Sequence, residues 1–111
     1  AIPTSKEIEA ILKEIDQYNI TSDSNVLLSK MEECLSAACC YLLRTDLLNV
    51  SRNEMFVLLI DKMDKENLSG LKNLFKELDV VRFSKQSTDV AIKDLKSEFN
   101  HLLKKILSKT S

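Results

Sequence analysis

The sequence predicts an all-α fold: a compact bundle of about five short amphipathic helices in a single domain spanning residues 1–111. Three observations predict it. Apolar residues recur three and four positions apart along most of the chain, the period of a helix face rather than of a strand. One Gly and one Pro in 111 residues leave little material for tight β-turns. Leu, Lys, Glu, Asp and Ser dominate, the usual makeup of amphipathic helices joined by brief polar connectors. There is no internal repeat and no low-complexity tract.

The first helix is predicted from Ser5 to Tyr18. Thr4 and Glu7 form a capping box just after Pro3, and Ile8, Ile11, Leu12, Ile15 and Tyr18 follow at helical spacing. NITSDSN is a connector in which Asp23 or Ser24 can cap the next helix.

That next helix, Asn25 to Arg44, is the one around which the others must be arranged. On a helical wheel Leu27, Met31, Cys34, Leu35, Ala38, Tyr41 and Leu42 share one half. Val26, Leu28, Cys39 and Leu43 widen it until only Ser29, Lys30, Glu32, Glu33, Ser36, Cys40 and Arg44 remain for water. A helix so broadly apolar needs neighbours on more than one side. Leu35 is read as mid-core, Cys34 as buried and Cys40 as partly exposed.

Ser51 and Glu54 form a second capping box, so MFVLLI reads as helix rather than strand, from Arg52 to Met63. Met55, Phe56, Leu59 and Met63 share a face. Val57 and Ile60 lie elsewhere, either covered by another helix or left exposed for a partner. DKEN is a connector. Leu68, Leu71, Leu74, Phe75 and Leu78 define a fourth helix ending near Val80, in which Gly70 costs up to ~1 kcal/mol relative to Ala. RFSKQST reads as a loop, and Ser87 or Thr88 as the cap of a last helix of about 20 residues. Its stripe is Ile92, Leu95, Phe99, Leu102, Leu103 and Ile106, with Leu102 placed mid-core.

Composition narrows the function classes. Sixteen basic and seventeen acidic side chains give a net charge of −1, which supplies no field for steering onto nucleic acid or an anionic membrane. No apolar run approaches the ~20 residues of a transmembrane helix, so direct membrane insertion by this chain is not expected and a soluble domain is. AIPTSKEIEA lacks the features of a signal peptide, although the sequence can be a fragment of a longer, membrane-anchored protein. Cys34, Cys39 and Cys40, odd in number and on one predicted helix, read as reduced thiols.

No catalytic constellation is found. The single His101 projects about 200° from Phe99, away from the apolar stripe, and reads as a solvated surface residue. There is no glycine-rich phosphate loop, HExxH or CxxC pattern, so no metal site and no cofactor is expected. Tyr41, Phe56, Phe75, Phe83 and Phe99 sit at core spacing. Glu32 with Glu33, and Asp61 with Asp64, read as solvated faces. The expectation is a non-enzymatic protein–protein interaction module. Its alternative is a domain enclosing a small apolar ligand among Met31, Met55, Met63 and Phe56.

Only three of the sixteen basic residues are arginines, and Arg44, Arg52 and Arg82 all stand at predicted helix ends. For Arg44 and Arg82 this fits charge complementarity to the helix dipole; the functional reading is a docking patch of Arg44, Arg52 and Arg82 with Val57 and Ile60. Arg82 projects onto the line of Phe75 and Leu78. Either the helix has ended by Val80, or Arg82 faces inward and is paired. Asp79 is its expected local partner, in a clamp between the helix end and the following loop, beside Phe83.

The order CYLLRTDLLNVSRNE, then LKNLFKELDVVRFS, then a final amphipathic helix resembles the helical cytoplasmic region of BatD-type (aerotolerance operon) membrane proteins over about residues 26 to 107. Leu74, Leu78, Asp79, Arg82 and Phe83 resemble that family's leucine-rich helix closing on an acidic residue and an Arg-Phe or similar pair. The resemblance implies a docking domain in a bacterial envelope assembly, beside MoxR-type ATPases and von Willebrand factor A proteins. It implies a cytoplasmic location, tethered to the inner membrane in the full-length protein, and brings no catalytic residues with it.

Overall fold

The computed structural model describes residues 2–18, 24–83 and 89–110. It contains α1 (Ser5–Gln17), α2 (Ser24–Leu43), α3 (Arg52–Leu59), α4 (Lys65–Phe83) and α5 (Asp89–Thr110), with no strand among the described residues, in a body of 37 × 26 × 26 Å. The all-α bundle expected from the periodicity is the fold observed.

α2 packs against each of the other four helices. Leu27, Leu28, Met31, Cys34, Leu35, Ala38 and Cys39 are all buried, which uses the full width of its apolar face. Ile8 and Ile15 of α1 are fully buried, Leu71, Leu74, Phe75 and Leu78 come from α4, and Ile92, Leu95, Phe99 and Leu103 from α5. Leu35 is completely enclosed, whereas Leu102, expected at the same depth, is half-buried because it lies along the α4 seam over Gly70. A Cβ at Gly70 would stand 3.4 Å from Leu102 Cδ1, an ordinary contact. Lys96 Nζ donates to the Asp16 carbonyl at 3.0 Å and Asn100 Nδ2 to Asp16 Oδ1 at 2.7 Å, tying α5 to the end of α1.

The hydroxyl half of each expected capping box forms: Thr4 Oγ1 accepts from Glu7 N–H and Ser51 Oγ from Glu54 N–H, each at 3.2 Å. Ser24 is already inside α2 rather than before it. Asp23, Ser87 and Thr88, the other expected caps, lie outside the described residues, as does 84–88 of the expected loop.

Three boundaries differ from the sequence reading. α3 stops at Leu59 instead of Met63, because Ile60 N–H turns back to the Val57 carbonyl and Lys62 N–H to Leu59, tightening the chain into turns. DKEN is no connector beyond Asp64, whose carbonyl accepts from Leu68 N–H at 2.9 Å as α4 begins. α4 continues past Val80 to Phe83, so Arg82 is helical. Phe83, read as core, is 79% exposed.

α2 ends with Arg44 in the left-handed region at φ 54. Thr45 N–H reaches the Cys40 carbonyl and Arg44 N–H the Tyr41 carbonyl, the paired bonds of a Schellman ending with arginine where glycine is usual. The guanidinium stacks 4.8 Å from the Tyr41 ring centroid.

Candidate functional site

Beyond Arg44 the chain runs as an apolar linker, Leu47, Leu48 and Val50, before Ser51 caps α3. Leu48 N–H binds Asp46 Oδ1 and Val50 N–H the Leu47 carbonyl, so the linker is a pair of tight turns rather than an extended strap. Leu47 and Val50 pack on the core while Leu48 is 86% exposed. The linker forms one wall of a groove of about 310 Å³; Glu32, Ser36 and Cys40, four residues apart along α2, form another. Met55 and Phe75, both nearly buried, lie at its base.

Charged residues lock one side of this groove. Arg82 of α4 pairs with Glu32 Oε2 through Nη1 and donates through Nη2 to Ser29 Oγ at 2.7 Å. Arg52 of α3 donates to Asp79 Oδ2 at 2.6 Å, lies 3.6 Å from Glu32 Oε1, and stacks 4.6 Å from the Phe75 centroid. Phe75 meets Phe56 edge-on at 5.7 Å. Glu32 thus holds one arginine from α3 and one from α4, joining three helices with balanced charge. Each member is about one-third exposed, so the network fixes geometry more than it adds stability.

The expected local clamp between Asp79 and Arg82 is therefore corrected. Asp79 is engaged by Arg52, and Arg82 reaches across to α2 because α4 continues and carries it on the inner line. Phe83, expected beside it, projects outward. Of the expected docking patch, Arg52 and Arg82 converge on Glu32 while Arg44 is separately placed on Tyr41. Val57 and Ile60, left open between cover and exposure, are 66% and 58% exposed.

Glu32 and Ser29 fall on the solvent side of the α2 wheel, and their role shows only when α4 is laid beside α2. The groove was also missed, although the apolar LLNV linker carried a signal for it. Among the four residues expected to enclose a ligand, Met55 lines this groove, while Met31 is fully buried and Phe56 and Met63 pack against the core.

Cys34 and Cys39 are buried, and burial pushes both thiols up to about 12, with Glu33 adding to the first and Cys40 to the second. They stay protonated near neutrality and are poor nucleophiles. Cys40, half-buried, faces the groove. His101 is exposed, and among the described residues no three His, Cys, Asp or Glu side chains are grouped to hold a metal ion. No helix among them is long and apolar enough to cross a membrane.

Fold and groove together define an all-helical bundle with an apolar linker and a partly uncovered third helix at its surface. No protein-family model, curated protein or solved structure matches the chain.

Proposed function

We propose that this chain is a non-enzymatic protein–protein interaction module whose docking surface is built from the linker and α3. The observation that carries the reading is a concentration of exposed apolar side chains. Of the nine large apolar residues exposed among the described residues, four lie between positions 48 and 60: Leu48, Val57, Leu58 and Ile60. Leaving such side chains in water forgoes roughly 25 cal/mol per Å² of burial, which a partner's surface would recover. The groove beside Leu48 offers a seat for an apolar anchor, held in shape by Arg52, Arg82 and Glu32.

The BatD-type resemblance supplies a setting for the module. In it the domain docks on the cytoplasmic side of a bacterial envelope assembly, tethered to the inner membrane, with a MoxR-type ATPase and von Willebrand factor A proteins as partners.

Photo-crosslinking residues at Leu48 or Leu58 of the full-length protein, in its native host, test the proposal. A discrete adduct absent from controls at Ser97 and His101 is expected, and while the melting temperature holds it disappears from either probe on Val57→Asp and from the Leu58 probe on Leu48→Asp. Adducts no stronger at Leu48 and Leu58 than at the controls sink the interaction-module reading.

A further inference from the structure

The geometry points to a definite occupant for α3, an inference that rests on the interaction-module reading: a basic amphipathic helix carrying two Lys or Arg seven residues apart, with apolar residues between them.

The argument starts from where α3 places its charges. Glu54 and Asp61 are both exposed and seven residues apart, so they fall near one line of the helix, about 10 Å from each other along its axis. Asp61 lies in the tighter turn that follows, where Ile60 keeps helical dihedrals (φ −53°, ψ −41°) and Lys62 N–H closes on the Leu59 carbonyl, and at about 120° per residue over these two steps it still falls about 20° from the Glu54 line. Val57 lies about 50° to one side of this line and Leu58 about 50° to the other, with Ile60 beyond Val57. The outward face is thus an apolar patch with a carboxylate at each end.

The basic side chains of this segment do not neutralise that face. Arg52 is turned inward onto Asp79, Glu32 and the Phe75 ring. Lys62 lies at the far edge, beyond Leu58, and Lys72 of α4 sits 5.7 Å from the Phe56 centroid at the other edge. The Ser51 cap accepts the Glu54 backbone N–H and so fixes where Glu54 stands in the first turn of the helix.

An apolar strip closed at both ends by acids selects its occupant. A helix laid along α3 repeats on the same pitch, so cations seven residues apart meet Glu54 and Asp61 together while the apolar residues between them cover Val57 and Leu58. A second copy of this chain presenting its own α3 would set acid against acid, and an anionic lipid surface would be repelled in the same way.

Three synthetic helical peptides sharing one apolar stripe, with Lys, Gln or Glu at the two flanking positions, make the test, read by fluorescence anisotropy on the intact chain. The Lys peptide should bind about tenfold more tightly than the Glu peptide at low salt, the scale of two exposed ion pairs. Added salt should shrink that preference. Asp61→Lys should weaken it and Glu54→Lys with Asp61→Lys should reverse it, while Val57→Asp removes binding of all three, with circular dichroism confirming that each variant is folded.

Equal binding of the three peptides overturns the charge specification but leaves the interaction module standing. No binding of any peptide overturns α3 as a helix site, while crosslinking from Leu48 decides the broader reading separately. Self-association by sedimentation that Val57→Asp abolishes would assign the face to a second copy and overturn the inference. Binding to phosphatidylserine vesicles abolished by the same substitution would assign it to lipid, with the same consequence.

Discussion

In both α2 and α3 apolar residues run most of the way round the helix, yet the two are covered very differently. α2 meets all four other helices and buries seven side chains. α3 packs against α2 and α4, buries Met55 and Leu59, and leaves Val57, Leu58 and Ile60 largely in water. The same composition therefore has two uses. Where neighbours are supplied by the chain itself it makes a core, and where they are not it makes a surface. Length contributes to the difference, since α2 spans 20 residues and α3 only 8, too short to be enclosed by the bundle on every side.

The sharpest way to break the comparison is to truncate both helices. Leu35→Ala should destabilise the domain by ~2 to 5 kcal/mol because it leaves a cavity in an enclosed site. Val57→Ala should fall within about 0.5 kcal/mol of wild type, as surface changes do. Chemical denaturation measures both, and comparable losses at the two sites would mean that α3 is buried after all.

The next effect concerns how the polar side of α2 is held. Arg82→Ala removes the contacts to Glu32 and Ser29, and about 1 kcal/mol of stability should go with them, between the values for an exposed pair and a buried one. Asp79→Ala, which spares Arg82, should leave those two contacts in place, and a double-mutant cycle of Arg82 with Glu32 against Arg82 with Asp79 would separate the cross-helix pairing from a local clamp. Coupling confined to the Asp79 cycle would contradict the observed geometry.

At the end of α2, Arg44→Gly should stabilise by up to ~1 kcal/mol, because glycine adopts positive φ without the strain of a Cβ. The lost stacking on Tyr41 offsets part of that gain. A fall in melting temperature would show the stacking to be worth more than the backbone relief.

The smallest effect calibrates what an exposed contact outside both helices contributes. Burial, then the hydrogen bond and charge of Glu98, hold the Glu77 carboxyl above its ordinary 4.5. The folded state keeps this proton longer than the unfolded one, so the stabilisation is fully present below pH 4.5 and is lost as pH rises through the raised value. Glu98→Gln should therefore raise stability at neutral pH by a few tenths of a kcal/mol. The advantage should vanish in thermal melts below pH 4.5; an advantage that instead grows on acidification would reverse the assignment.

The helices were legible because each signal was local. Thr4 and Ser51 announce their own helices, and the stripe from Ile92 to Ile106 is complete within one segment. Polarity is a poor sign of irregular structure at both ends of α4. Asp64 reads as connector although Asp is favoured just before a helix, and the polar run after Val80 reads as the end of α4 although the helix continues to Phe83, so that of the two readings of Arg82 the inward, paired one holds, with Glu32 and Ser29 rather than Asp79 as partners. The candidate site was harder because its parts are distant in sequence. Arg82 lies 50 residues from Glu32 and 53 from Ser29, and no wheel drawn on one helix can reveal such a pairing.

The bonds from Lys96 and Asn100 to Asp16 span 80 and 84 residues and tie α5 back to α1. Helical turns form from neighbours and need little of the chain, but this closure must wait until α5 has been synthesised and has folded back. During translation α2 therefore emerges with one flank of its apolar surface uncovered, sheltered first by α1 and only last by α5. A nascent chain stalled before α5 would expose two hydrophobic surfaces, the future core of α2 and the outer face of α3. Completion of the last helix is the event that leaves only the second of them open.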